Sequence, residues 1–480
     1  MAKINLSKHS HNKWLILALL AMAQFMVVLD VTVVNVALPS MARELHFAAN
    51  NLQWVITAYT LTFGGFLLLG GRAADLYGRR KIFIWAVLAF STMSLLTGLA
   101  QNDTWVIITR ALQGLAAAIM SPAALSIIIS EFKEGSERNA ALGVWAAVAV
   151  GGSAVGVLVG GILTQYLSWR WNFFVNVPVG ILVAITAYTL LPHHIGEENR
   201  KIKLDLRGAL TATLGLMALV FGLSKAPTDG WSSAVVIGFI AAGVALLISF
   251  ILNEHYAKQP LMPLSIFRIR NVAGGNLTIL AIACSLFAMF FFMTLYVQTI
   301  LGYGPAKAGL SFLPATIIIA AIAGVVSRIV GRIGYKPFLV IGPLILSFGL
   351  YLIAHDMKVG GNYWHNVFPG LAVVSLGMGL SFIAGTLAST SGVPKHFAGL
   401  ASGILNTSQQ VGGSIGLAIL SAVYASTLTS ELLNRHSFAL SQVQGYQAGL
   451  HVGVGLALGA AIIALIVIRN HKTTTAKVVV

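Results

Sequence analysis

The sequence contains one cysteine, Cys284, in 480 residues. A lone thiol closes no internal disulfide and builds no thiolate metal site, so disulfide scaffolds and cysteine-metal chemistry are excluded. Histidine offers no substitute. No His pair has zinc spacing on one helix face, and His193 and His194 are adjacent, so their rings point apart. No metal and no cofactor is expected. Charge is the larger deficit: Asp, Glu, Lys and Arg make up 9% of the chain, against about 25% in soluble proteins. Acids are the scarcest, 14 against 30 basic residues. A membrane-embedded enzyme would need clustered His, Asp or Glu near a membrane face, and these acids are too sparse to supply it.

What remains is apolar. Hydrophobic residues make up 57% of the chain, and they come in blocks. A run of roughly 18 or more apolar residues crosses the hydrocarbon core of a bilayer. Fourteen such runs lie between charge clusters, from 14–40 to 447–468. The fold class is therefore an all-α polytopic membrane protein with 14 spans. The first run follows Lys3, Lys8 and Lys13. It is longer than the apolar stretch of about 7–15 residues in a signal peptide, and reads as a retained first helix.

The net charge of +16 invites a nucleic-acid reading, and its distribution argues against one. With the N-terminus in the cytosol, 23 of the 30 Lys and Arg fall in cytosolic segments. Six fall in outer loops and Arg110 lies within a run. This positive-inside bias puts both termini in the cytosol. The expected location is the cytoplasmic membrane of a bacterium. Nothing in the chain identifies an outer partner protein.

The loops leave no room for a soluble domain. The longest cytosolic one, about 193–206, is polar and of mixed charge. "GRAADLYGRRK" at 71–81 has a weak echo in "VSRIVGRIGYK" at 326–336, pairing Arg72 with Arg328 and Gly78 with Gly334. The offset of 256 residues spans eight runs, as six helices plus an insert of two would give. The chain divides into a six-helix bundle over 1–192, a linker with two inserted helices over 193–258, and a second six-helix bundle over 259–480. Repeated halves around a midplane site are a feature of secondary transporters.

Only Asp30 and Arg110 are charged residues well inside apolar runs. At 1.5 Å per residue they lie about 12 Å and 8 Å below the outer boundary, and can share a cavity. An ionisable residue at such depth marks a functional site by default; the structural alternative is an ion pair that locks two helices. Burial disfavours the charged form of a carboxyl and a nearby cation favours it. A carboxyl exposed alternately to the two sides can thus load and release a proton.

Polar residues elsewhere are candidates for a substrate cavity. Arg110, Gln113, Gly114, Ala117 and Ser121 share one helix face, and Ser402, Asn406, Gln409 and Gly413 make a similar stripe. Either stripe could instead be interhelical glue. Gln24 and Asn35 share a face of the first helix, with Asp30 about 120° away from it. "FAMFFFMTLYVQ" at 287–298 supplies Phe287, Phe291 and Gln298; such aromatic and Met-rich stretches suit an adaptable pocket, although at least half of these aromatics are expected to face lipid. Gly152, Gly156 and Gly160 recur every four residues. They allow close helix contact, as tight packing or as a sliding gate helix.

Several stretches together resemble the major facilitator superfamily, specifically its fourteen-helix drug:proton antiporters of the QacA and EmrB kind. "LDVTVVNVALP" at 29–39 resembles their first-helix signature, "GRAADLYGRRK" the cytosolic loop after the second helix, and "RALQGLAAAIMSPA" at 110–123 the fourth-helix motif. "WRWNFFVNVPVG" at 169–180, "LGYGPAKAGLSFLP" at 301–314 and "GLASGILNTSQQVGGSIGLAIL" at 399–420 look like further family segments. The resemblance implies a fold of two six-helix bundles plus two inserted helices. It implies no enzymatic activity but proton-coupled multidrug efflux by alternating access, with protons, amphipathic substrates and the lipid bilayer as partners. Asp30 would be the proton-coupling acid and Arg110 its partner. Arg72, Asp75, Arg79 and Arg80 would form a cytosolic latch, Asp75 facing the thirteenth helix near Phe397–Gly399.

Two departures narrow this. Val157 stands where the fifth-helix motif of the family has proline, and 308–327 contains no acid of the kind carried by members that handle divalent cations. The substrates implied are neutral, zwitterionic or monocationic. Transport of one endogenous metabolite or lipid, and ligand sensing without turnover, are the alternatives.

Overall fold

The structure, a computed structural model, describes residues 6–47, 51–132, 136–191, 205–393 and 398–469. The linker 193–204, with His193 and His194, and the stretch 394–397 lie outside the described residues, as does the side chain of Asp75.

Helices account for nearly everything described, and no strand occurs among these residues. An α-helix satisfies its own backbone donors and acceptors, as a segment crossing lipid must. The helices are α1 (Leu6–Glu44), α2 (Trp54–Tyr77), α3 (Arg79–Gly98), α4 (Asp103–Glu131), α5 (Ser136–Tyr166), α6 (Trp171–Phe174), α7 (Asn176–Leu190), α8 (Leu206–Asp229) and α9 (Ala234–Tyr256). They continue with α10 (Arg270–Leu295), α11 (Pro305–Ile333), α12 (Lys336–Asp356), α13 (Tyr363–Asn366), α14 (Phe368–Thr390), α15 (Ala398–Leu433) and α16 (Phe438–Val467). Among the described residues thirteen spans are long and apolar enough to cross a membrane. The fifth expected run is occupied by α5, of 31 residues.

The runs differ from simple rods in three places. The sixth begins as the single turn α6 and passes through Val175, helical in φ and ψ, into α7. The twelfth begins as the single turn α13, breaks at Val367 and continues as α14. The ninth ends in a π-helical turn, Tyr296–Ile300. Gly78 and Gly334, paired in the sequence echo, have φ of +93° and +89°, a region that only glycine enters freely. Each ends one helix and allows the next to start almost at once.

One compact unit comprises 1–217, 243–261 and 303–312; the other comprises 218–242, 262–302 and 313–480. In the first, the core joins α1, α3, α4 and α7 through Leu20, Met26, Phe83, Phe90, Met120 and Val183. Within this unit α8 meets α2 closely: a Cβ on Gly65 would stand 2.1 Å from Thr213 Oγ1. In the second, Tyr335, Leu339, Ala384, Ala388 and Ala464 cluster at one end. Towards the other end, Phe292, Tyr424 and Tyr446 form an aromatic group, with the two tyrosines stacked at 4.9 Å.

The surface is apolar where lipid would cover it. Ile237, Val244, Ile248 and Ile251 are exposed along α9. Exposed aromatics gather near span ends, among them Trp14, Tyr77, Tyr188, Tyr256, Trp105, Tyr166 and Trp231, as amphipathic rings do at membrane interfaces.

Candidate functional site

Asp30 and Arg110 meet. The guanidinium Nη1 donates to Asp30 Oδ2 at 2.5 Å, and both side chains are buried, at 0% and 1% exposure. The contact joins α1 to α4. Each residue sits in an apolar helix, and mutual attraction is what makes burial of the two charges tolerable.

Further donors complete the carboxylate's surroundings. Gln113 Nε2 donates to Asp30 Oδ1 at 2.9 Å, and Asn176 Nδ2 donates to the same oxygen at 3.2 Å. Among the described residues every side chain hydrogen-bonded to Asp30 is thus a donor, the complement of an anionic carboxylate. Arg110 is held by more than Asp30. Its Nε donates to the carbonyl of Val55 at 3.1 Å and its Nη1 to Gln113 Oε1 at 2.9 Å. The Tyr59 ring lies 4.2 Å from its Cζ, a cation–π contact that strengthens away from water. Gln113 serves both charges because it follows Arg110 by three residues, on the same face of α4. Asn176 reaches Asp30 because it lies in the first turn of α7, which packs against both α1 and α3. Its Nδ2 also donates to Ser94 Oγ at 3.1 Å.

The other candidate residues are placed separately. Gln24 Oε1 accepts from Ser121 Oγ of α4 at 3.0 Å. Asn35 turns back on its own helix, donating to the Val31 carbonyl. Both are half-buried, and Asp30 faces another way, as the helical angle requires. Gly152, Gly156 and Gly160 pack α5 on α1, the helix that carries Asp30. A Cβ on Gly156 would lie 2.0 Å from Thr32 Oγ1, and one on Gly160 2.8 Å from the Cα of Val33.

Three arginines of the 71–81 stretch have partners within the first unit. Arg72 donates to the Gln259 carbonyl at 3.2 Å and Arg79 to that of Ser126 at 3.4 Å. Arg80 donates to the Tyr188 carbonyl and lies over the Tyr188 ring. Asp75 and Phe397, the proposed contact of this loop, lie outside the described side chains.

In the second unit, Phe287 packs on Gly413 of α15, where an added Cβ would meet its ring at 2.6 Å. Phe291 and Phe292 are buried. The aromatics of 287–298 therefore turn inward, and the expectation that at least half face lipid is corrected. The reason is α15, whose Gly412 and Gly416 let α10 approach to backbone contact while Gly413 makes room for the Phe287 ring. Gln298 and Gln409 are half-buried and Asn406 is exposed, donating to the Ser402 carbonyl of its own helix.

The sequence reading named Gln113 as a cavity residue and assigned no role to Asn176. Its signal was an amide in the first turn of an apolar run, which looks like an ordinary interfacial residue until the packing of α7 on α1 and α3 is known.

The sequence model of the Major Facilitator Superfamily matches residues 20–417. The chain belongs to the major facilitator superfamily. Membership of that superfamily makes it a multi-pass membrane transporter, not an enzyme. A puromycin resistance protein from Streptomyces alboniger is 38% identical over 457 residues, 95% of this chain and 90% of the relative. The cephamycin export protein CmcT of Amycolatopsis lactamdurans is 38% identical over 415 residues, 85% of each chain. Among solved structures, a bacterial homolog of the human lysosomal transporter Spinster, inward-facing and occupied, aligns with a TM-score of 0.68. It covers 95% of this chain and 96% of its own at 15% identity, a likeness of fold alone.

Proposed function

We propose that this transporter exports small amphipathic compounds, neutral, zwitterionic or monocationic, in exchange for protons. The relatives named for puromycin resistance and cephamycin export support the direction and the substrate class. The observation that carries the coupling is the Asp30–Arg110 pair, sealed from water between α1 and α4.

The sealed pair has a mechanical consequence. A proton reaches Asp30 only when α1 and α4 separate enough to admit water. Protonation removes the anion that draws Arg110 to α1. Arg110 keeps its hold on Val55, Gln113 and Tyr59, so α1 is the element set free. Gly152, Gly156 and Gly160 then serve as the surface on which α1 slides over α5. Six helices, two inserted and six more, with both termini in the cytosol, give the halves that rock. Arg72, Asp75, Arg79 and Arg80 act at the cytosolic latch. Gln24 and Asn35 from the first half, and Phe287, Phe291, Gln298, Asn406 and Gln409 from the second, are the candidates for substrate contact.

The test is efflux of a monocationic dye from proteoliposomes under an imposed pH gradient. Asp30→Asn is expected to abolish gradient-driven efflux while leaving the protein folded and able to bind the dye. Full gradient-driven efflux by this variant rules the coupling out.

A further inference from the structure

The stretch "WRWNFFVNVPVG" has no part in the mechanism above, yet its side chains hold α1 at two heights. At the outer end, Arg170 donates to Glu44 Oε1 through Nη2 at 2.9 Å and through Nε at 3.3 Å. Trp169 Nε1 donates to Glu44 Oε2 at 2.7 Å. The same Arg170 gives Nη1 to the carbonyls of Gly98, at 2.9 Å, and Ala100, at 2.6 Å. One guanidinium therefore ties the end of α1 to the end of α3. Deeper, the Phe173 carbonyl accepts from Ser94 Oγ at 2.9 Å. Asn176 Nδ2 bridges Ser94 Oγ and Asp30 Oδ1, and Asn176 is 2% exposed.

We infer that Asn176 is a positioning residue of the Asp30 site, carried by a strut, 169–176, whose outer clamp on Glu44 fixes the register of α1 against Arg110.

The chemistry of the amide supports this. A carboxylate oxygen gains from each donor aimed at it, while a protonated carboxyl gains less. Asn176 Nδ2 and Gln113 Nε2 converge on Oδ1, leaving Oδ2 to Arg110. Asn176 therefore favours the anion, and its loss makes the bound proton harder to release. Among the described residues the charged or titratable groups packed around Asp30 are Arg110 on α4 and Tyr59 on α2, the latter through its ring on Arg110; the facing residues of α3 and α7, Ser94 and Asn176, do not titrate. The clamp acts at a distance, through α1. Releasing it lets Asp30 shift relative to donors that α4 and α7 hold in place.

The inference rests on the proton-coupled reading, and the experiment separates the two. Dye efflux is measured against internal and external pH in proteoliposomes holding the full chain, together with dye binding and melting temperature. Asn176→Ala is expected to move the pH midpoint of efflux upward by about one unit, the worth of one charge-assisted hydrogen bond, with dye binding unchanged. Glu44→Gln and Arg170→Lys are expected to move it the same way by less. Asn176→Ser, which keeps a donor, is expected to restore part of the shift. If Asn176→Ala lowers efflux equally at every pH, or leaves the midpoint unmoved, Asn176 only packs and the inference falls. Asp30→Asn runs alongside. If that variant still pumps on the gradient, the proton-coupled reading fails; if it is dead while Asn176→Ala keeps the wild-type midpoint, only the positioning role fails.

Discussion

Arg110 is the most constrained residue of the site. Its fork serves Val55 through Nε, and Asp30 and Gln113 through Nη1, while its flat face rests on Tyr59. Lysine supplies charge without that fork or that face. Arg110→Lys is therefore expected to lower gradient-driven efflux at least tenfold with dye binding largely retained, measured by initial rates in proteoliposomes. Arg110→Leu leaves a buried carboxylate without its cation, at a cost of about 3–5 kcal/mol. It is expected to depress the melting temperature strongly in detergent, and Arg110→Leu combined with Asp30→Asn is expected to recover much of the loss. Asp30 and Arg110 were legible in the sequence because charge in an apolar run has few explanations. The amides were harder to read, since glutamine and asparagine in a span serve equally as glue, cavity lining or cage. Gln113 became a cage residue only when α4 met α1, and Asn176 only when α7 packed beside it.

Among the helices, the α1–α5 seam gives the sharpest expectation. The glycines along α5 differ in what faces them. A Cβ on Gly152 would stand 3.2 Å from the Phe25 ring; on Gly156, 2.0 Å from the rotatable Thr32 hydroxyl; on Gly160, 2.8 Å from backbone. Alanine is expected to be mildest at Gly152, intermediate at Gly156 and worst at Gly160, in melting temperature and in efflux alike. Thr32→Ala is expected to rescue Gly156→Ala and not Gly160→Ala. A flat response along the series would mean that the seam is not tightly seated. The fourfold spacing made this seam readable, because small residues at i and i+4 form a stripe on any helix. The junction of α6 and α7 at Val175, the break at Val367 and the π turn at Tyr296–Ile300 were not readable. Each interrupts an apolar run without changing its composition. The inward turn of Phe291 and Phe292 was missed for a related reason: hydropathy does not distinguish a lipid-facing ring from one seated on a neighbour's glycine.

For the molecule as a whole, composition and the blocks of apolar residues sufficed to make it a helical membrane protein, and the family resemblance of its motifs made it a transporter. The turns at Gly78 and Gly334 share a left-handed φ, as do those at Gly230, Gly302, Gly360 and Gly392. The compact units cut across the inserted pair α8 and α9, taking 218–242 with one unit and 243–261 with the other, a division that no charge cluster or linker composition marks. Orientation is testable directly. On the proposed orientation, which puts both termini in the cytosol, a cysteine at Lys358 is expected to react with an impermeant maleimide on intact cells, and one at Lys81 only after permeabilisation. Reaction of both from outside would invert the topology.

Cys284 makes that experiment simpler than it is for most transporters. It is buried in α10, and Gly416 of α15 approaches so closely that an added Cβ there would fall 2.2 Å from the Cα of Cys284. The native chain should accordingly stay dark to thiol reagents. Labels, spin probes or fluorophores can then be introduced one at a time, without first stripping the protein of its own sulfhydryl.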